Sequence, residues 1–295
     1  MVESVAADVR LSRDLRIRYL GQGPAEGPAV LMLHGTGDSS FSFSRVLPLL
    51  PPGLRVIVPD QRGHGDSDKP SDSYSMDEFA LDALELLDAL NVPRVTLVGH
   101  SMGSFIARRA AAFAAGRVER LILIGAGPSG NNGPLREINA AVATLTDPVD
   151  PAFVRDFQLG TSSGTLPPEF FERVIAESLK LPAHVWKSSF AGLMHYEPVE
   201  DQIACDTLVL GGVWDGVFSV AEQEEVARRI EGARLRLFPG IGHALHWDEP
   251  DILARVLRGS DHLLNTRPPF MTKRTSRNFE MSRVGSSGTA TRSAS

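Results

Sequence analysis

Seven short apolar runs constrain what this chain can fold into: residues 15–20, 30–33, 55–58, 95–98, 121–124, 207–210 and 235–238. They have the length of strands, are mostly bounded by Gly, Pro or Asp, and are for the most part apolar throughout rather than alternating. A strand without alternation is buried on both faces, as in a parallel sheet covered by helices on either side. Helical patterns stand between the runs. In the clearest, Ser75 and Glu78 have capping-box spacing, and Met76, Phe79, Ala80, Ala83, Leu84, Leu87 and Leu90 recur every three to four residues. Pro93 then biases Val92 out of the helix. Another helix follows Ser101, through Ile106 and Arg109 to Ala115, and a third runs from Val220 to Ile230. Strand and helix in alternation predict an α/β fold with a mostly parallel sheet flanked by helices.

One stretch breaks the alternation. Residues 125–201 contain no convincing strand, and 135–145, 151–159, 168–179 and 183–193 read as short helices separated by Pro and Gly. The expected organisation is a core of residues 1–124 and 202–259, a helical cap inserted at 125–201, and a tail at 260–295. The tail carries six Lys/Arg against two Asp/Glu, many Ser and Thr, and no apolar periodicity, so it reads as a disordered basic segment.

Composition narrows the function classes. With 42% hydrophobic and 22% charged residues the chain is an ordinary globular protein. A net charge of −6 argues against nucleic acid as a partner. No run approaches the roughly 18 apolar residues of a membrane helix, and residues 1–10 lack the order of a signal peptide, so a cytoplasmic protein without a membrane partner is expected. The single cysteine, Cys205, can form neither an internal disulfide nor a thiolate metal site. The expected partner is a small-molecule substrate; oligomeric state is not legible.

Chemistry concentrates at residues 95–103. The run Val95-Thr96-Leu97-Val98 leads into Gly99-His100-Ser101-Met102-Gly103 and then a helix, a G-x-S-x-G nucleophile elbow in its strand-turn-helix context. Small residues are needed there, because the strained turn lifts the Ser101 hydroxyl off the sheet while the helix packs close to the strand. The plain alternative is a turn whose Ser only caps the helix. A serine nucleophile needs a base, and the base needs an orienting acid. Run 207–210 leads to Gly211-Gly212-Val213-Trp214-Asp215, and run 235–238 to Pro239-Gly240-Ile241-Gly242-His243. Both loops follow strands at the edge where such sheets place functional groups, so Asp215 is the expected acid and His243 the expected base. His246 is the fallback base and is expected to pack beside Trp247.

An oxyanion formed on attack needs preorganised N–H donors. Met102 offers one at the helix N-terminus, and Thr36, in His34-Gly35-Thr36-Gly37-Asp38 behind run 30–33, offers the second. Gly35-Thr36-Gly37 is not a dinucleotide fingerprint, since Ser40 stands where the third Gly belongs. His34, His64 and His100 lie in Gly-rich turns and are expected to hydrogen-bond structurally. No metal motif is present: His243 and His246 are three apart in a loop. In the cap, Phe153, Phe157, Phe170, Phe171, Trp186, Phe190, Leu193 and Met194 are expected mostly to form its own core, with a minority lining a pocket.

Over residues 15–257 the chain resembles the α/β-hydrolase superfamily with a helical cap. The resemblance rests on His34-Gly35, the run from Asp60 to Asp68 (Asp-Gln-Arg-Gly-His-Gly-Asp-Ser-Asp), the elbow from Gly99 to Gly103, Gly212 with Asp215, and Gly242-His243 followed by Glu249-Pro250, in that order. It implies Ser101 as nucleophile, Asp215 as acid and His243 as base, with no cofactor. The other acid position of the superfamily, after run 121–124, holds Gly125. Relatives that use an aspartate nucleophile, the haloalkane dehalogenases and epoxide hydrolases, are excluded by Ser101. The expected function is a serine hydrolase cleaving a small, largely apolar carboxylic ester or lactone through an acyl-serine. The alternatives are a C–C bond hydrolase, in which a cap arginine such as Arg155 or Arg173 holds a carboxylate, and a hydrolase-like receptor with slow turnover. Cofactor-free peroxidase or oxygenase chemistry on the same triad is a further possibility.

Overall fold

The computed structural model describes residues 3–162 and 166–259. The basic tail at 260–295 lies outside the described residues. Eight strands form one sheet: β1 (Val5–Arg10), β2 (Arg16–Gln22), β3 (Ala29–Leu33), β4 (Arg55–Pro59), β5 (Val95–His100), β6 (Val118–Ile124), β7 (Asp206–Gly212) and β8 (Arg234–Phe238). Their spatial order is β1-β2-β4-β3-β5-β6-β7-β8. The first two strands pair antiparallel, β2 pairs antiparallel with β4, and every later pair is parallel. The fold is thus the α/β-hydrolase fold.

The continuous apolar runs are explained by what lies on each face. Leu31, Leu33, Leu97, Leu121, Leu123 and Val209 pack into one core, together with helices α1 (Met76–Ala89) and α2 (Met102–Phe113). Their neighbours Val30, Met32, Val98, Ile122, Ile124, Leu208 and Leu210 pack into a second core on the opposite face. That face is covered by Phe43, Val46 and Leu47 and by helix α9 (Pro250–Leu257). Ser75 caps α1 as its spacing predicts, its side chain accepting from the Glu78 N–H at 3.2 Å. Strand β1 was not legible: its half-exposed residues form the sheet edge and pair only with β2, so no buried stripe marks it.

Between β6 and β7 stand four helices, α3 (Gly133–Ala143), α4 (Pro151–Leu159), α5 (Pro168–Ser178) and α6 (Ala183–Met194). Short helix α7 (Val220–Arg229) follows β7, and α8 (Leu245–Asp248) precedes α9. The inserted helices close over the C-terminal edge of the sheet. Trp186 of α6 sits where a Cβ on Gly37 would collide with its ring. Gln158 of α4 donates to Asp38 at 3.1 Å, and the Ala244 N–H donates to the Thr161 carbonyl at 2.8 Å. A buried ion pair between Arg108 of α2 and Glu200 anchors the returning end of the insertion, and Arg108 also donates to the Gly127 carbonyl near its start. Among the described residues no helix is long and apolar enough to cross a membrane.

Candidate active site

Ser101 occupies the turn between β5 and α2 with φ 51° and ψ −119°, a positive-φ conformation that costs a non-glycine residue on the order of 1–3 kcal/mol. Two glycines permit it. A Cβ on Gly99 would run into the Gly103 carbonyl, and one on Gly103 into the Leu33 carbonyl, so α2 packs directly against β5 and β3. The Ser101 side chain makes no helix-capping bond, which removes the plain capping alternative.

The loops after β7 and β8 are stitched together by main-chain bonds. Val213 N–H donates to the Phe238 carbonyl at 3.0 Å and Trp214 N–H to the Ile241 carbonyl at 2.9 Å. Those bonds bring Asp215 against His243, with His243 Nδ1 2.9 Å from Asp215 Oδ2 and both side chains buried. The other carboxylate oxygen, Asp215 Oδ1, accepts from the N–H groups of Val217 at 2.8 Å and Phe218 at 2.9 Å. A carboxylate held at both oxygens cannot rotate, so it fixes the Nδ1–H tautomer and leaves Nε2 as the basic nitrogen. Gly125, at φ 54°, lies under the imidazole: a Cβ there would stand 2.8 Å from His243 Nδ1. The glycine therefore makes room for the His243 ring.

Ser101 and His243 line one cavity with a volume of about 30 Å³. Among the described hydrogen bonds none joins the Ser101 hydroxyl to His243; such bonds often tighten only when substrate is bound. Gly35 closes the cavity from the β3 side, where a Cβ would stand 3.2 Å from Ser101 Cβ. Thr36 follows it in the same wall. No described hydrogen bond uses the Thr36 or Met102 amide, so both remain able to donate, and Met102 is the first residue of α2, where the helix dipole favours an anion.

His34, His64, His100 and His246 are buried, and burial disfavours the charged form of each. His34 is lowered to about 4 and His64 to about 3 by burial. His34 donates from Nδ1 to the Gly35 carbonyl at 2.8 Å and accepts from the Gln61 N–H at 3.1 Å, which fixes its tautomer and ties the Gly35 loop to the loop after β4. His64 Nδ1 bonds the Arg62 carbonyl at 2.8 Å. His100 packs with its ring 5.0 Å from His243 and 4.5 Å from His246, and it also interacts with the His243 main chain. Burial and those two neighbours push it well below the ordinary imidazole value. His246 bonds Ser42 Oγ at 2.9 Å and packs 5.8 Å from the Trp247 ring, away from the cavity wall.

As expected, a minority of the cap residues singled out from the sequence line the cavity. Phe157, Phe190 and Leu193 line it, joined by Leu135, Ile138 and Val217. Phe153 and Trp186 form an edge-on aromatic pair, ring centroids 5.4 Å apart, and Phe170 joins Trp247 in a separate small cluster. Neither Arg155 nor Arg173 reaches the cavity: each pairs with a glutamate of α5, Glu172 and Glu177 respectively. The lining residues include no arginine or lysine. Among the described residues no group of three or more His, Cys, Asp or Glu is placed to hold a metal ion.

The sequence reading missed Asp38 and Gln158, which line the same wall. Burial pushes the Asp38 carboxyl up to about 7, against hydrogen bonds from Gln158 and Ser42 that pull it back. No local pattern marks a lone glutamine on α4, and Asp38 resembles an ordinary turn aspartate until the helices close over it.

Comparison with known proteins adds the family. The alpha/beta hydrolase fold description matches residues 28–250. The chain belongs to the α/β-hydrolase family. Within that family it is 31% identical to a non-heme haloperoxidase of Rhodococcus erythropolis, over 74% of this chain and 86% of that one. An esterase from Exiguobacterium antarcticum superposes with a TM-score of 0.79 at 26% identity, covering 89% of this chain and all of the other. Est816, described as an N-acyl homoserine lactone degrading enzyme, superposes with a TM-score of 0.74 at 29% identity, covering 86% and 99%. This chain is an α/β-fold hydrolase.

Proposed function

We propose that the protein hydrolyses a small, largely apolar carboxylic ester or lactone through an acyl-serine intermediate. The observation that carries this reading is the Asp215-His243 pair, 2.9 Å apart and held at both carboxylate oxygens, beside a strained Ser101 in one cavity. Ser101 Oγ attacks the carbonyl carbon while His243 Nε2 takes its proton. The amides of Thr36 and Met102 stabilise the resulting oxyanion. Collapse expels the alcohol, or opens the lactone ring, with the proton returned from His243. Water then attacks the acyl-serine with His243 as base, releasing the acid and restoring the serine.

Apolar walls from α3, α4 and α6 fit an acyl chain, and the lack of a cationic lining residue tells against a carboxylate-bearing C–C substrate. A volume of about 30 Å³ is far smaller than an acyl chain, so the lining must widen to admit substrate. The helical insertion then acts as a cap. Likeness to the E. antarcticum esterase and to Est816 supports ester or lactone cleavage. Likeness to the R. erythropolis haloperoxidase favours a second reading, peroxide-dependent halogenation at the same cavity, which a bromination assay separates from hydrolysis.

The test is a series of p-nitrophenyl esters from acetate to decanoate. Turnover is expected to rise to a short or medium chain, at about 0.8 kcal/mol per methylene buried, and then fall as the pocket fills. Ser101→Ala should abolish turnover and keep a wild-type circular dichroism spectrum. A folded Ser101→Ala protein with wild-type turnover refutes the reading, and cleavage of no ester at all moves the assignment to a receptor.

A further inference from the structure

The polar part of the cavity lining is built around one amide. Gln158 is fully buried on α4, and its Nε2 donates to two acceptors, Asp38 Oδ1 at 3.1 Å and Ser178 Oγ at 2.8 Å. The Ser178 hydroxyl spends its single proton on the Val174 carbonyl at 2.9 Å, so toward Gln158 it can only accept. That settles which end of the amide is nitrogen. Both N–H groups of Gln158 are therefore consumed, the side chain cannot turn, and Oε1 remains buried without a hydrogen-bond partner. A second buried oxygen in the lining, Thr36 Oγ1, is also without one. Unpaired buried acceptors carry their full desolvation cost and are found where something else completes them.

The wall stands close to the reacting centre. A Cβ on Gly35 would lie 3.2 Å from Asp38 Oδ2 and 3.2 Å from Ser101 Cβ, so the carboxyl that holds Gln158 and the serine flank the same glycine, no more than about 6.4 Å apart. Gln158 Nε2 lies a further 3.1 Å beyond Asp38 Oδ1, so this part of the lining faces the acyl part of a substrate held at Ser101.

We infer that Gln158, positioned by Asp38 and Ser178, is a specificity-determining residue whose Oε1 accepts a hydrogen bond from an O–H or N–H carried on the acyl part of the substrate, one or two carbons from the scissile carbonyl. The preferred substrates are esters or lactones of hydroxy- or acylamino-substituted acids rather than plain alkanoates. Burial that keeps the Asp38 carboxyl near neutrality suits this wall to uncharged donors, since it avoids a fixed anion beside the developing oxyanion. Rejection of a substrate lacking the donor follows because it leaves Gln158 Oε1 buried and unpaired. The inference rests on the assignment of Ser101 as nucleophile.

The experiment compares kcat/KM for the p-nitrophenyl esters of butanoic, 3-hydroxybutanoic and 3-methoxybutanoic acids, and of N-acetylglycine, with wild type and with Gln158→Met, which has similar length and no acceptor oxygen. Wild type is expected to favour the 3-hydroxy or the N-acetylamino ester at least tenfold over butanoate and over the 3-methoxy ester, whose oxygen has no proton to give. In Gln158→Met that ratio should fall to within about twofold of one. Equal rates on all four esters in wild type overturn the inference while leaving ester hydrolysis standing. A preference that survives in Gln158→Met also overturns it. If no ester is cleaved by wild type, the hydrolase assignment fails with it. Should Gln158→Met not fold, the wild-type comparison of the 3-hydroxy and 3-methoxy esters decides alone.

Discussion

Replacing Asp215 with asparagine tests the site most sharply, because the structure dictates how the amide must sit. Asp215 Oδ1 accepts from two main-chain N–H groups, those of Val217 and Phe218, at 2.8 and 2.9 Å. Only an oxygen can replace it there, since an NH2 group facing two N–H groups would leave all of them unpaired. The amide nitrogen is thus forced toward His243 Nδ1, where the carboxylate oxygen stood 2.9 Å away. It donates, and Nδ1 must accept. The imidazole proton moves to Nε2, the nitrogen that has to receive the serine proton, and the base is lost without a change of shape. Tautomer reversal of this kind costs about 10⁴ in kcat, equivalent to about 5.5 kcal/mol of transition-state stabilisation. The measurement is kcat/KM for a p-nitrophenyl ester, with thermal melting of the same preparation as a fold check. Because the two main-chain bonds are retained, melting should change little. Activity within tenfold of wild type in a folded Asp215→Asn protein would refute the assignment of Asp215 as the orienting acid.

Three further outcomes follow from the geometry. Ser101→Gly should abolish turnover yet raise the melting temperature, because glycine adopts φ 51°, ψ −119° without the strain of about 1–3 kcal/mol; a lower melting point would show that the elbow is not strained. Asp38, held at about 7 against an ordinary 3.8, keeps its proton in the native state after the unfolded chain has released it, so its contribution to stability falls as pH rises from about 4 to 7. Asp38→Asn should accordingly stabilise the protein more at pH 8 than at pH 4.5, with a ceiling on the order of 4 kcal/mol, and equal urea midpoint shifts at the two pH values would contradict this. Gly103→Ala drives a methyl into the Leu33 carbonyl and should cost at least about 1–3 kcal/mol in urea unfolding; a neutral result would mean that α2 does not pack on β3 as described.

The parts of the fold that could be read in advance were those with a local physical signature. Runs such as 121–124 are continuously apolar because alternate residues enter two different cores, and the elbow is marked by glycines that each occupy a backbone contact. Strand β1 escaped because an edge strand with half-exposed residues leaves no such mark. His100 packs between two imidazoles, and which rings meet there depends on how separate loops converge. Arg155 and Arg173 were candidates for a carboxylate site on charge alone; the pairing of each with a glutamate of α5 is a matter of helix placement.

By itself, the sequence determined the sheet with its flanking helices, the helices between the sixth and seventh strands, and the placement of Ser101, Asp215 and His243 in the turn or loops that follow three strands. Each of those features is written in a few consecutive residues, because backbone strain, capping and burial act over that range. Tertiary structure decided what surrounds them. The main-chain bonds between the loops after β7 and β8 bring Asp215 to 2.9 Å from His243 across 28 residues of chain. Closure of α4 over the loop after β3 joins Gln158 to Asp38 across 120 residues, and that closure buries the carboxyl and locks the amide. Burial and hydrogen bonding between distant segments are properties of the packed chain, so no local pattern can encode them.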